Sequence, residues 1–327
     1  MGWDDRYLQQ VFPLFEEPEP PLRRRLAEQL RALAAQNLFL GSSSWKYEGW
    51  LGSIYSRERY MVRGRFSAKQ FASDCLAEYT EVFPIVSGDF AFYQFPNAAF
   101  WQRLFEQAPP PFRFAFKVPA EITVPVFANQ PRYGARAGRS NPSFLRADVM
   151  QEEFLRLLSP YAGRVALLMF EFPASTANAF AQPEEFAAAL GTFLAALPKT
   201  FRYAVEIRHA ALLDAAYFRS LREHGVAHIF NSWTDMPAIA QQTALEGAFT
   251  TNFTAVRALM RPGTAYQDSL NRFEPFSELR EPNEEVRRAI RELLVRAKMR
   301  AEPIFVFVNN RLEGFSPATI AAIIEGL

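Results

Sequence analysis

The sequence predicts an α/β protein in which eight parallel strands and eight helices alternate and close into a (β/α)₈ barrel, behind an N-terminal helical extension. Two observations carry this. Short, wholly apolar runs alternate with longer helical patterns eight times over roughly 290 residues, close to the ~250 usual for such a barrel. No G-x-G-x-x-G or G-x-x-x-x-G-K-[ST] follows any of the strands, so the rival open nucleotide-binding sheet loses its main signal. Composition agrees: 327 residues, 49% hydrophobic and 22% charged, describe an ordinary globular chain with enough apolar material for a large core.

Residues 1–37 read as the extension and 38–327 as the barrel domain. Asp4 and Asp5 precede any apolar run and Glu16, Glu17 and Glu19 follow closely, a pattern unlike a targeting segment. From Leu22 to Gln36, Leu22, Leu26, Leu30 and Leu33 recur at helical spacing with Arg23, Arg24, Arg25 and Arg31 mostly opposite them. That is an amphipathic helix with a solvated basic face; a basic docking surface is the alternative reading.

Strands are expected over Leu38 to Ser42, Pro84 to Asp89, Phe112 to Val118, Val165 to Phe172, Arg202 to Ile207, Ala227 to Asn231, Phe253 to Arg257 and Ile304 to Asn309. Helices are expected over Lys69 to Tyr79, Ala98 to Gln107, Ser143 to Leu158, Glu184 to Ala196, Asp214 to Glu223, Pro237 to Leu245, Asn283 to Arg300 and Pro317 to Glu325. Continuously apolar strands are those of a parallel sheet covered on both faces. The longest such run, Val165 to Phe172, falls far short of the ~20 residues a membrane helix needs, so a soluble cytoplasmic protein without a membrane partner is expected.

Two connections are long, Thr123 to Pro142 and Ala258 to Pro282. The first carries Arg132, Arg136 and Arg139 with Gly134 and Gly138 and no acid; the second carries Arg261, Gly263, Tyr266 and Arg272. Both follow strands, which places them over the C-terminal mouth where barrel active sites lie, and the first is expected to be mobile and to meet anions. The single Cys75 falls on an outer helix as buried packing and excludes a disulfide framework. Three histidines, His209, His224 and His228, leave little for a zinc site; a carboxylate-only Mg²⁺ or Mn²⁺ site stays open, no metal ligand is assigned and no cofactor is identified.

Side chains alternate along a strand, so the polar residue ending each strand can be given a face by counting. Lys117 shares its face with Ala115, Glu206 and Arg208 with Ala204, Arg257 with Phe253 and Ala255, Glu171 with Leu167 and Met169, and Asn309 with Phe305 and Phe307. These faces point to the barrel axis. Asp89, Glu171 and Glu206 balance Lys117, Arg208 and Arg257, which suits either a neutralised ion-pair network or a site.

Several ordered motifs resemble the YecE-like family, domain of unknown function 72, a set of TIM-barrel proteins. Gly41-Ser42-Ser43-Ser44-Trp45-Lys46-Tyr47 with Trp50 resembles its G-[TS]-S-G-W-x-Y opening, with Ser44 where glycine is common. Phe92 to Pro96 matches F-Y-x-x-P, Phe112 to Thr123 matches F-x-F-x-x-K followed by I-T, and Phe170 to Pro173 resembles F-Q-L-P with Glu171 in place of glutamine. Tyr203 to His209 matches Y-A-V-E-x-R-H, Val256-Arg257 the V-R segment, and Asn309-Asn310 with Gly314, Phe315 and Pro317 the closing N-N-x-x-x-G-x-A-P. Where the family often has V-E-x-N, this chain has Val86-Ser87-Gly88-Asp89. The resemblance implies a barrel from about Leu40 to the C-terminus and leaves the reaction open.

Two functions fit these residues. A hydrolase of glycosidic or phosphoester bonds would use Glu206 and Glu171, with Asp89 in reserve, as its carboxylates; Glu171, flanked by Phe170 and Phe172, would be the neutral acid if dry. Trp45, Tyr47, Trp50, Phe92 and Tyr93 would form a platform for a sugar or base. A non-catalytic binder would instead use Lys117, Arg208 and Arg257, with His209, Asn309 and Asn310 nearby, to hold a small-molecule anion, nucleic acid being the weaker alternative. His209 at the strand end serves either as a general base or to hold a turn.

Overall fold

The computed structural model describes residues 21–327, so the acidic N-terminal segment lies outside the described residues, as does the side chain of Arg132. The barrel strands are β1 (Leu38–Ser42), β2 (Ile85–Gly88), β3 (Arg113–Lys117), β4 (Val165–Phe172), β5 (Tyr203–Ile207), β6 (Ala227–Asn231), β7 (Thr254–Ala258) and β8 (Ile304–Val308). Each pairs in parallel with the next, and β8 pairs with β1 from Leu38↔Ile304 to Ser42↔Val308, closing the sheet on itself. The expected (β/α)₈ barrel is therefore the observed one, with strand ends within a residue or two.

Closure is thinnest between β1 and β2, where Ser42↔Val86 is the sole register pair. Two features make that junction. A Cβ on Gly41 would sit 2.0 Å from the Ile85 carbonyl oxygen, so only glycine lets the backbones approach. The Tyr79 hydroxyl, reaching in from the helix α2 (Ala68–Val82), accepts from Ser42 N–H and donates to Ile85 O, both at 3.0 Å. A side chain thus supplies the backbone pairing that the strands do not make directly.

The inner face of the sheet buries Ile85, Ala115, Leu167, Met169, Ala204, Ala227, Ile229, Ala255, Phe305 and Phe307 as one cluster. The outer face packs Val86, Phe114, Phe116, Phe170, Val205, Val256 and Val306 against the helices. The alternation counted from the sequence assigned these faces correctly because each strand is covered on both sides and a one-residue slip would exchange them. The helix α1 (Pro21–Ala34) buries Leu26, Leu30 and Leu33 against the barrel's outer core, while Arg23 reaches Glu78 at 3.1 Å on α2 and also pairs with Glu81. Part of its basic face is thereby tied down.

Among the segments that depart from expectation, two stand out. The helix expected from Ser143 starts at Ala147, because the Asn141 carboxamide accepts the Ser143 N–H and Leu145 takes a left-handed φ of 54°. Within the connection after β7 lies a two-turn helix, Tyr266–Phe273, which buries only Ser269 and Phe273, too little apolar periodicity to read in advance. Among the described residues no helix is long and apolar enough to cross a membrane.

Candidate functional site

The inward alternation of apolar residues stops at the C-terminal ends of the strands, where Lys117, Glu171, Glu206, Arg257 and Asn309 take the axial positions, each buried to within 7% of complete. Above them opens a cavity of about 450 Å³ lined by Asp89, Phe92, Tyr93, Lys117, Glu171, Arg208, Trp233, Arg257, Tyr266, Asn309 and Arg311, with Ser43 and Gln130. Ligand pockets run from ~300 to ~1,000 Å³, so this volume is large enough for a small molecule.

Its floor is a charge network. Glu171 and Glu206 are register partners on neighbouring strands. A single Glu171 oxygen, Oε2, meets Lys117 Nζ at 2.8 Å, Arg208 Nη2 at 2.6 Å and Arg257 Nη1 at 3.0 Å. Glu206 divides its oxygens, Oε1 to Arg208 Nε at 2.8 Å and Oε2 to Arg257 Nη1 at 2.5 Å. Burial by itself would raise the Glu171 carboxyl, but the charges of Arg208, Lys117 and Arg257 outweigh it and hold the group well below the usual carboxylate range. The expectation of a neutral, acid-form Glu171 is thus corrected: its apolar sequence neighbours Phe170 and Phe172 face the opposite side of the strand, and its carboxylate faces three cations. Lys117 moves the other way. Desolvation pulls its ammonium below the ordinary value against the attraction of Glu171, and the like charges of Arg257 and Arg208 add to the lowering.

Aromatic rings flank each outer cation. The Arg208 guanidinium lies 3.8 Å from the Trp233 ring centroid, Lys117 Nζ 4.0 Å from that of Phe92, and the Arg311 guanidinium 4.4 Å from that of Tyr266. Such stacking holds a cation in place while its hydrogen-bonding edge stays available. Counting Arg311, four cations face Asp89, Glu171 and Glu206, so the balance read from the sequence becomes a net positive mouth.

Among the residues singled out from the sequence, Asp89, Tyr93, Lys117, Glu171, Arg208, Arg257 and Asn309 line this cavity and Glu206 lies directly beneath it. Asp89 and Tyr93 are exposed on the rim. The others fall elsewhere. Trp45 is buried edge-on against Phe90 and borders a neighbouring hollow with Lys46 and Phe100; Tyr47 packs on Trp50 and Phe276. The wide aromatic platform therefore reduces to Phe92 and Tyr93. His209 accepts the Ala211 N–H at Nδ1, 3.2 Å away, and holds a turn outside the lining, and Asn310 accepts the Ser316 N–H at 2.7 Å in the same kind of role. His228 faces outward to Tyr217 and Gln242, and Cys75 is buried with its thiol pushed up to about 12 by burial. Among the described residues no three His, Cys, Asp or Glu side chains cluster as metal ligands would.

Trp233 and Arg311 were not singled out in advance, yet a rule for finding them is visible. Asn231 ends β6 and its Oδ1 accepts the Trp233 N–H at 3.1 Å; Asn309 follows β8 and its Oδ1 accepts the Arg311 N–H at 2.9 Å. In both, an inward asparagine folds the chain so that the residue two places on returns to the axis. The basic connection after β3 doubles back, with Phe127 N–H on Arg139 O, Gly138 N–H on Phe127 O, and Arg136 on Glu121 at 2.6 Å. Among the described residues its contribution to the cavity wall is Gln130.

The family model described as protein of unknown function DUF72 matches residues 39–327. The UPF0759 protein YecE of Escherichia coli strain K12 is 31% identical over 160 residues, 47% of this chain and 50% of that protein, so the chain spans about half the length of the curated relatives it matches. A DUF72 family protein of Thermotoga maritima has the same fold with a TM-score of 0.59 at 20% identity, covering 88% of this chain and 96% of that one. Another from Enterococcus faecalis matches with a TM-score of 0.59 at 17% identity over 88% and 94% of the two chains.

Proposed function

This chain belongs to the DUF72 family, and we propose that its barrel mouth binds a small organic anion through Arg208, Arg257, Lys117 and Arg311. The observation that carries the reading is the convergence of three cations on one oxygen of Glu171. A buried carboxylate used in this way anchors cations; it does not act as a proton donor. Holding Glu171 ionised removes the acid half of the carboxylate pair that glycoside hydrolysis needs, and this weighs against the hydrolase alternative.

Guanidinium groups offer paired donors to a carboxylate or phosphate, and here they are fixed by ion pairs and ring stacking before any ligand arrives, which lowers the ordering cost of binding. The Nε atoms of Arg257 and Arg311 are buried without a hydrogen bond to the protein, so neither guanidinium has used its full donor set. A cavity of about 450 Å³, walled by Phe92, Trp233 and Tyr266, suits a ligand with a compact body and one anionic group better than a nucleic-acid strand.

The test is calorimetric titration with inorganic phosphate, glycerol 3-phosphate and citrate at low and moderate salt. Saturable binding that weakens as salt is added, and that weakens further in Arg208→Ala, supports the reading. Absence of heat with all three at low salt overturns it.

A further inference from the structure

The chain contains lysine at positions 46, 69, 117, 199 and 298, and the fold buries only Lys117; Lys46, Lys69, Lys199 and Lys298 are exposed. Burying an amine is costly, and here it ends β3 at the floor of an open cavity, pointing to the axis instead of out to water. Its environment is the one that makes a lysine nucleophilic. Nζ lies over the Phe92 ring, two guanidinium groups share the Glu171 oxygen that Nζ contacts, and desolvation favours the neutral amine.

We propose that Lys117 forms an imine with a small aldehyde or ketone that carries a carboxylate or phosphate. This deepens the anion-binding reading and rests on it for the second half of the ligand. Lys117, Arg208 and Arg257 all lie within 3.0 Å of Glu171 Oε2, so a short ligand whose anionic group engages a guanidinium has its carbonyl carbon beside Nζ. The step balances within the site. The ammonium passes one proton to solvent in the mouth, and the freed nitrogen lone pair forms the C–N bond at the carbonyl carbon. The carbonyl oxygen takes up that proton equivalent and one more from nitrogen and leaves as water. The product iminium carries the same charge as the ammonium it replaces and keeps the ion pair with Glu171. No oxidant or metal enters.

Glu171 and Glu206 face this amine from β4 and β5, Arg208 and Arg257 from β5 and β7, and Asp89 and Arg311 from the rim. Of these, Glu171 touches it directly and is the positioning residue for the iminium.

The experiment exposes the full chain separately to pyruvate, glyoxylate and dihydroxyacetone phosphate with cyanoborohydride, followed by intact mass and peptide mapping. The expected result is one reduced adduct on Lys117, formed at least tenfold faster than on the four exposed lysines, slowed by inorganic phosphate and absent in Lys117→Arg, which keeps the charge. Because the site is mapped on the unaltered protein, the conclusion does not depend on how that variant folds. Adducts spread evenly over the exposed lysines, or none on Lys117 with any probe while phosphate still binds by calorimetry, overturn the imine and leave the anion site standing. A Lys117 adduct that phosphate neither slows nor binds beside supports the nucleophile and overturns the anion site instead.

Discussion

Glu171 and Glu206, register partners on β4 and β5, are bridged by one nitrogen: Arg257 Nη1 lies 3.0 Å from the first carboxylate and 2.5 Å from the second. Two like charges on neighbouring strands would repel at this depth, and the guanidinium groups of Arg257 on β7 and of Arg208 just after β5 each bridge both carboxylates and offset the repulsion. The barrel mouth is thus held together by the same groups that are proposed to bind the ligand, so removing a carboxylate should move stability and affinity in opposite directions, whereas removing either arginine should lower both.

Glu206→Gln tests that directly. The amide keeps the shape and still accepts one hydrogen bond, but it releases Arg208 and Arg257 from part of their charge pairing. Phosphate affinity should rise about tenfold, equivalent to ~1.4 kcal/mol, while the variant unfolds at lower urea. Calorimetry and urea melts on the same preparation read both; weaker binding would show that Glu206 acts on the ligand itself.

Arg257→Met should cost stability more than it costs volume. It strands Glu206, fully buried, with Arg208 alone, a loss on the order of 3–5 kcal/mol. Combining it with Glu206→Gln removes both members of the pair and should recover part of that loss. Equal urea midpoints for the single and double variants would contradict the coupling.

Arg311→Ala should separate affinity from folding. Among the described residues Arg311 forms no ion pair, and its guanidinium stacks on Tyr266, half exposed at the rim. Anion affinity should fall about tenfold and its salt dependence should become shallower, with the melting temperature within a few degrees of the parent.

His228 should make stability pH-dependent. Burial holds its imidazole down to about 4 from an ordinary 6.5, against the hydrogen bond of Gln242. The unfolded chain takes up the proton first, so this contribution is complete above pH 6.5 and is lost as pH falls toward 4, on the order of 3 kcal/mol over that window. Glu171 contributes in the same direction at lower pH, since its depressed carboxyl must also be protonated on acid unfolding. In His228→Phe the slope of urea stability between pH 6.5 and 4 should flatten, whatever the variant's stability at neutral pH.

Tyr79→Phe should weaken the seam between β1 and β2. It leaves Ser42 N–H and Ile85 O without the hydroxyl that joins them, at about 1–3 kcal/mol for each buried group left unpaired. Amide exchange at Ser42 should accelerate relative to strands β4 and β5; unchanged protection would mean the seam closes by other contacts.

Local alternation determined a great deal of this protein from the sequence by itself. The eight strands, the face of each, and the inward direction of Lys117, Glu171, Glu206, Arg257 and Asn309 follow from counting, because a strand covered on both sides admits only one register. What counting does not carry is which inward groups meet. Glu171 reads as a dry acid beside Phe170 and Phe172, and becomes an anchored anion only when β3, β5 and β7 bring Lys117, Arg208 and Arg257 to one of its oxygens. Trp45 and His209 read as site residues from their motifs, yet the turns they occupy direct one ring into aromatic packing and use the other to hold the backbone. Trp233 and Arg311 lie beyond the strands, where no alternation applies, and reach the mouth through asparagine-held turns. Side-chain direction along a strand is a local property of the backbone; the charge a group carries and the partner it finds are set by barrel closure, which places Glu171 and Arg257, 86 positions apart, within hydrogen-bonding distance.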